Sequence, residues 1–152
     1  MIESIINTPV TLTANDSTVS FSIDDLRTRN ANCPCGFLQH TQGSPLYKII
    51  KGGIYEINLS ATVTSATAGI IALGLYQDGI LIPATVSAET ISTAGDLANI
   101  SFKKKIRVCC GANTTLTIAS VPSINAGATG TTPTTTQIPI ITNAILNISK
   151  SA

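Results

Sequence analysis

The sequence predicts an all-β fold, an antiparallel β-sandwich of the jelly-roll type, formed by one domain that spans residues 1–152. Three observations support this prediction. The length of 152 residues suits one domain. Ile and Thr, which are β-branched and favoured in strands, are the commonest residues, and long helical patterns are absent. About eight to ten short strand patterns follow one another between turn residues, which is typical of sandwiches and jelly rolls.

The N-terminal third contains only short strand patterns. Strands are predicted at Pro9–Ala14, Thr18–Ile23, Phe37–His40 and Leu46–Ile50. The segment Asp24–Gly36 is expected to be irregular, because it combines charged residues with a Cys-Pro-Cys-Gly sequence that is typical of turns.

The clearest strand pattern covers Ile54–Thr64, where apolar residues occupy the odd positions from Tyr55 onwards and polar residues the even ones. Because successive side chains of a strand point to opposite faces, this strand is expected to bury one face. A second alternating strand is predicted at Ala98–Cys110. The predicted sandwich core consists of Tyr55, Ile57, Leu59, Ala61, Val63, Ile100, Phe102, Ile106 and Val108.

The central segment predicts a β-hairpin. Two apolar runs, Ile70–Gln77 and Ile80–Val86, flank the pair Asp78-Gly79, which suits a type I′ turn because both central residues of that turn have positive φ. Further strands are predicted at Thr114–Ala119 and Ile138–Ser149. Between them, residues 120–137 are rich in Gly, Thr, Pro and Ala without periodicity, which predicts an exposed loop that is functional or mobile.

The last predicted strand carries more apolar residues than one buried face requires. One parity consists of Ile138, Ile140, Ala144, Leu146 and Ile148, yet the other parity still contains Ile141 and Ile145. A strand with one solvated face should be polar there, so Ile141 and Ile145 are expected to contact a second dry surface. The alternative is that both lie under a loop of their own subunit.

Charge is scarce in this sequence, at 11% of the residues with a net charge of +1. A monomer of this mass exposes about 7,300 Å², or about 430 Å² per charged residue, so part of the surface is expected to be covered by a partner. A net charge of +1 argues against nucleic-acid binding. The low aromatic content of 4%, without Trp, argues against a sugar-stacking lectin or a single-strand binder.

Membrane and secretory signals are also absent from the sequence. The longest apolar stretch, Ala68–Tyr76, is too short to span a bilayer. The N-terminal residues have neither a basic region nor a sustained apolar region, so synthesis in the cytoplasm is expected. The one basic cluster, Lys103–Arg107, is divided over two faces by strand alternation, which favours a solvated strand or a contact with an anionic partner.

Little in the sequence supports a catalytic site. His40 is the single histidine, and either Asp24 or Asp25 could partner it in a Ser-His-Asp arrangement. The sequence has no nucleophile-elbow pattern, so His40 is interpreted as a turn or surface residue. The protein is therefore expected to be a non-enzyme without a cofactor.

The four cysteines form two close pairs, Cys33-Pro-Cys35 and Cys109-Cys110. These spacings fit a zinc site poorly, and adjacent strand residues point to opposite faces, so no metal site is expected. One cross-link between the two pairs and four free thiols are both compatible with the sequence.

From Gly52 onwards, four segments in order resemble the tumour-necrosis-factor and complement-globular-head jelly rolls. They are GGIYEINLSATVT, IIALGLYQDGILIPAT, LANISFKKKIRVCCGANTTLTIASV and NAILNISK. The likeness is to bacterial and phage members of this superfamily, such as the C-terminal domain of an exosporium collagen-like glycoprotein and phage head-fibre proteins. The sequence lacks a collagen repeat and the calcium-site acids of some relatives. Residues 1–50 do not align and are expected to form extra strands or an anchoring arm.

The resemblance implies a homotrimer in which one sheet of each jelly roll packs around a three-fold axis, with the C-terminal strand, and hence Ile141 and Ile145, near that axis. It further implies a structural protein that decorates a bacteriophage capsid, or forms its head fibre, and contacts the major capsid protein on the virion surface. The alternative is a receptor- or glycan-binding trimeric module on a phage fibre or on a bacterial or spore surface. Neither nucleic acid nor a membrane is expected as a partner.

Overall fold

The structure is a computed structural model that describes residues 1–14, 16–27, 36–124 and 133–151, with the side chains of all of these except residues 25–27. The strands of the described residues are β1 (Ile2–Ile6), β2 (Val10–Thr11), β3 (Ile23–Arg27), β4 (Leu38–His40), β5 (Tyr47–Ile49), β6 (Gly53–Thr64), β7 (Gly69–Gln77), β8 (Ile80–Leu81), β9 (Ser87–Ile91), β10 (Ala98–Val108), β11 (Thr114–Ser120), β12 (Ser123–Ile124), β13 (Thr134–Thr135) and β14 (Ile140–Lys150). One turn of 3-10 helix, Pro83–Thr85, lies between β8 and β9.

Two antiparallel sheets enclose one hydrophobic core. Sheet 1 has the strand order β10-β6-β14-β1-β3, with β2 paired to β14. Sheet 2 has the order β4-β5-β11-β7-β8, with β9 paired to β7, and β12 pairs with β13 in a separate ribbon. At one edge of the sandwich β9 packs beside β10. At the other edge, Asp24 of β3 hydrogen-bonds to His40 of β4, so side chains close the gap between the sheets.

The alternation in β6 produces a buried face: its odd residues from Tyr55 to Val63 are at most 3% exposed. Residues of β10 that were expected in the core, namely Ile100, Ile106 and Val108, are also buried. Phe102 differs, because it is only partly buried at the edge of the core. Among the described strands, β10 is hydrogen-bonded to β6 alone and is thus an edge strand of sheet 1, and Lys104 shares its core-facing parity. An inward charge of this kind blocks pairing with a further strand.

The predicted hairpin is confirmed, since Asp78 and Gly79 adopt φ values of 52° and 80° between β7 and β8. The Asp78 carboxylate accepts a hydrogen bond from the backbone N–H of Thr115 at 2.7 Å, which ties the turn to β11. The second strand is shorter than predicted and ends at Leu81. Pro83 explains the difference, because it has no N–H for a ladder and instead begins the 3-10 turn.

The N-terminal segment departs most from the sequence-based expectation. The unpredicted strand β1 lies inside sheet 1 between β14 and β3. β3 extends to Arg27 and thus enters the segment from Asp24 onwards that was expected to be irregular. In the strand predicted at Thr18–Ile23, Thr18 forms an isolated bridge to Ala119. β1 has no visible alternation because Ser4 occupies its buried face and Ile5 its outer face. Ser4 is buried there because its hydroxyl donates to Asp24 Oδ1 at 2.6 Å.

The expected loop over residues 120–137 begins and ends in short strands. Ser123–Ile124 pairs with Thr134–Thr135, and the middle of the segment lies outside the described residues, as do Cys33 and Cys35. The strand β9 was likewise not predicted; it pairs with the first half of β7.

Candidate interaction surface

The outer face of sheet 1 carries an apolar row across three neighbouring strands. The strand register places Ile5 opposite Ile145 of β14 and opposite Ile23 of β3. The same row continues over Ser60 of β6 and Ser101 of β10. Ile145 is 46% exposed, and Ile5 and Ile23 are partly exposed. Branched apolar side chains therefore reach the surface side by side.

The next row of the same face is polar but uncharged. Asn143 lies opposite Thr62, which lies opposite Asn99, and the Thr62 hydroxyl donates to Asn99 Oδ1 at 3.1 Å. We call the two rows together the uncharged patch, which consists of Ile5, Ile23, Ile145, Ser60, Ser101, Asn143, Thr62 and Asn99. Depletion of charge is typical of the centre of protein interfaces.

The charged side chains that the structure describes on this outer face lie beyond one end of the uncharged patch. Glu56 lies between two lysines of β10, with Lys103 Nζ at 2.9 Å and Lys105 Nζ at 3.8 Å from its carboxylate oxygens. The hydrogen bond from Lys103 is the main reason why the pKa of Glu56 is lowered from its ordinary value. Arg107, which is exposed, and Glu3 lie at this same end. A charged margin beside an uncharged centre is the usual layout of an interface.

The structure separates Ile141 from Ile145. A β-bulge between Ile141 and Asn143 shifts the register of β14 against β6, so the inward parity changes from odd to even along the strand. Ile141 is 1% exposed and belongs to the core of its own protomer, whereas Ile145 lies on the outer face. The expectation of a second dry surface at Ile141 is therefore wrong. At Ile145 the alternative of cover by a loop of its own subunit is also wrong, because that side chain is exposed.

The structure brings His40 and Asp24 together, but inside the protein. His40 lies on β4 with a fully buried side chain, so its interpretation as a turn or surface residue is wrong. Its Nδ1 is 2.8 Å from Asp24 Oδ1, its Nε2 is 2.9 Å from the carbonyl oxygen of Ser44, and its ring stacks on Tyr47 with centroids 3.9 Å apart. A carbonyl only accepts hydrogen bonds, so Nε2 carries a proton. It is therefore not a base for a hydroxyl nucleophile, and Ser4 contacts the carboxylate instead of the imidazole.

A surface cavity of about 440 Å³ lies beside this pair and is lined by Asp24, His40, Thr41 and Gln42. The polar groups around it are already used within the protein, since Asp24 and His40 bond to each other and the Gln42 amide donates to the carbonyl of Ser22 at 2.9 Å. This arrangement serves the contact between the two sheets.

Cys109 and Cys110 are exposed and carry free thiols. They follow the end of β10 at Val108, two residues earlier than predicted, and lie in a turn that Gly111 completes with φ 83°. The described part of the chain contains no group of three or more His, Cys, Asp or Glu residues placed to hold a metal ion. In the same residues, no helix has the length and apolar character that crossing a membrane requires.

Comparison by sequence returns nothing: neither a family model nor a curated protein matches the chain. Comparison by structure finds clear neighbours. The globular domain of the zebrafish complement 1qA protein matches with a TM-score of 0.63 and 13% identity, over 99% of this chain and 96% of that one. The Eiger TNF of S. frugiperda matches with a TM-score of 0.59 and 10% identity, over 99% and 91% of the two chains.

These two matches extend over almost the whole chain, including the N-terminal residues that did not align by sequence. Neither structure is a bacterial or phage protein, so the likeness to that branch stays an expectation from sequence. At identities of 10% and 13% the matches concern the fold. The chain has the two-sheet antiparallel jelly-roll fold of the tumour-necrosis-factor and complement-globular-head type.

Proposed function

We propose that this protein is a non-enzymatic structural module that assembles as a homotrimer through the outer face of sheet 1. The observation that carries the proposal is the pair Ile5 and Ile145, which lie directly opposite each other and partly exposed within the uncharged patch. Apolar surface of this kind gains free energy when a second protein removes it from water. The occupant is a second copy of the same chain, in agreement with the assembly that the sequence resemblance implies.

The absence of charge from the patch favours packing around a symmetry axis. In a cyclic trimer the same residues of three copies approach one another, so a charge near the axis would face two like charges. Ser60, Ser101, Asn143 and Thr62 avoid this repulsion and are small enough to let the sheets approach. The Glu56 and Lys103 pair stays outside the patch, where water solvates it.

Light scattering after gel filtration tests the assembly. The wild-type chain is expected at three times 15.7 kDa. Ile145→Asp should dissociate it into monomers that keep the β-sheet circular dichroism, because three unpaired carboxylates would enter one interface. Ile80→Asp is the matched control, since Ile80 is 73% exposed in the β7–β8 hairpin, outside the patch. A monomeric wild type, or an Ile145→Asp protein that stays trimeric, would overturn the proposal.

We further propose that the trimer decorates the exterior of a bacteriophage capsid or forms its head fibre, with the major capsid protein as its partner. Support comes from the sequence resemblance and from the low charge content of 11%, which favours a partly covered surface. The gene neighbourhood is the first test, and portal, protease and major-capsid genes are expected beside this gene. Co-sedimentation with capsids of that major capsid protein is the second. Unbound trimers together with a positive glycan array would instead favour the receptor- or glycan-binding alternative.

A further inference from the structure

Two cysteines that the proposed function does not use lie side by side after β10. Cys109 and Cys110 are both exposed and both carry free thiols. The Ala112 N–H donates to the Cys109 carbonyl at 3.3 Å and closes a turn around Cys110 and Gly111. Because the pair lies in a turn, the alternation of strand side chains does not force the two thiols to opposite faces.

The turn packs against the backbone of Gly52, the residue before β6. A Cβ at position 52 would lie 2.8 Å from the backbone nitrogen of Cys110 and 2.9 Å from its Sγ, so the absence of a side chain leaves room for this thiol. The neighbouring carbonyl of Lys51 accepts a hydrogen bond from the buried Tyr55 at 2.6 Å. The hydrogen bond from Tyr55 thus ties this backbone to the core, and the exposed Cys110 packs closely against it at Gly52.

We propose that the Cys109-Cys110 turn is a chelating dithiol site for a trivalent, thiol-seeking arsenical. Soft sulfur ligands select soft acceptor atoms. Once one thiol has bound, the second bond forms within the same turn, which raises the affinity without any new contact. The site is independent of the trimer proposal, because it uses residues outside the uncharged patch.

The reaction balances without an oxidant or a reductant. In phenylarsonous acid, the hydrated form of phenylarsine oxide, arsenic carries two hydroxyl groups. Each thiol forms an As–S bond as one As–O bond breaks, and the thiol proton leaves with the hydroxide as water. Two water molecules are released, and arsenic remains trivalent.

The test uses the full chain with Cys33→Ser and Cys35→Ser, so that Cys109 and Cys110 are its only thiols, and phenylarsine oxide as the probe. Mass spectrometry should find one phenylarsenic group per chain, which survives excess 2-mercaptoethanol and is removed by 2,3-dimercaptopropanol. Adding Cys109→Ser or Cys110→Ser should weaken binding roughly 10²-fold, because one thiol makes one bond. Equal affinity with one thiol and with two would overturn the proposal.

A second variant tests the role of the backbone under the turn. Gly52→Ala leaves both thiols in the chain but displaces Cys110, so binding should weaken roughly tenfold through lost preorganisation. Thiol titration of the denatured protein must still count two thiols. Undiminished binding would show that the turn is not held by Gly52 and would overturn this part of the proposal.

The wild-type chain provides a measurement that needs no cysteine substitution. After reaction with one equivalent of phenylarsine oxide, alkylation with N-ethylmaleimide should modify Cys33 and Cys35 and spare Cys109 and Cys110. Protection of one cysteine from each pair would overturn the proposal in favour of a bridge between the two pairs, and protection of Cys33 together with Cys35 would overturn it in favour of that pair.

Discussion

His40 and Asp24 join the two sheets at one edge of the sandwich, with the imidazole Nδ1 2.8 Å from a carboxylate oxygen. Asp24 lies on β3, the edge strand of sheet 1, and His40 lies on β4, the edge strand of sheet 2. The exposed fractions of the two side chains are 4% and 0%. The single histidine of the sequence thus joins the edges of the two sheets.

Breaking this contact should destabilise the protein strongly. His40→Phe keeps a ring against Tyr47 but removes both hydrogen bonds of the imidazole, so the buried Asp24 carboxylate keeps the Ser4 hydroxyl and loses its contact with the imidazole. The free energy of unfolding in urea is expected to fall by about 3–5 kcal/mol. Adding Asp24→Asn removes the charge that the imidazole contacts in the wild type, so the double variant should lose less than the sum of the two single variants. Strictly additive losses would contradict the coupling.

The parity of β6 predicts opposite outcomes for two adjacent residues. Leu59 is 1% exposed in the core, so Leu59→Ala should lower the free energy of unfolding by about 2–5 kcal/mol. Asn58 lies exposed on the outer face and outside the uncharged patch, so Asn58→Ala should change it by no more than about 0.5 kcal/mol. Urea denaturation of both variants at equal oligomeric state makes the comparison. Surface substitutions change the free energy of unfolding little, so a loss well under 1 kcal/mol for Leu59→Ala would contradict this assignment of the buried face.

The stability of the hairpin turn should depend on the side chain at position 78. Asp78→Ala removes the acceptor of the Thr115 N–H and leaves a residue with φ 52° that tolerates this conformation poorly. We expect a loss of about 1–3 kcal/mol, measured by thermal or urea unfolding. Asp78→Asn is the control, since its side-chain oxygen still accepts the bond and Asn adopts positive φ more readily. Equal losses for Ala and Asn would contradict this account.

Alkaline titration should reveal two tyrosines with a raised pKa. Burial raises the pKa of Tyr55, and burial together with the charge of Asp16 raises the pKa of Tyr76. In the unfolded chain the pKa of a tyrosine is about 10. The neutral hydroxyls therefore contribute stability that is fully present below the pKa of the unfolded state. This stability is lost as the pH rises through the raised pKa values of the two tyrosines in the folded protein.

Near-ultraviolet absorbance of tyrosinate measures this effect in the wild type, in Tyr55→Phe and in Tyr76→Phe. Each variant should lack one component that titrates above the ordinary range. If the missing component titrates at or below the ordinary value, the corresponding side chain is more solvated than the structure indicates.

Sequence alone determined the parts of the fold that rest on local chemistry. The period of two over Ile54–Thr64 assigned the buried face of β6, because alternate side chains of any strand point to opposite faces. Asp78-Gly79 specified the hairpin, because few residue pairs accept two positive φ values in succession. The covered surface that the low charge content indicates stays a prediction.

Tertiary structure alone decided what depends on partners distant in the chain. The bulge in β14 arises from its pairing with β6, and it moves Ile141 into the core while Ile145 stays outside. Ser4 and His40 are buried polar residues that a hydrophobic pattern does not predict. Their burial depends on hydrogen bonds to Asp24, which is 20 residues from Ser4 and 16 residues from His40. The row of Ile5 and Ile145 joins the two ends of the sequence, and only the register of β1 against β14 brings these side chains together.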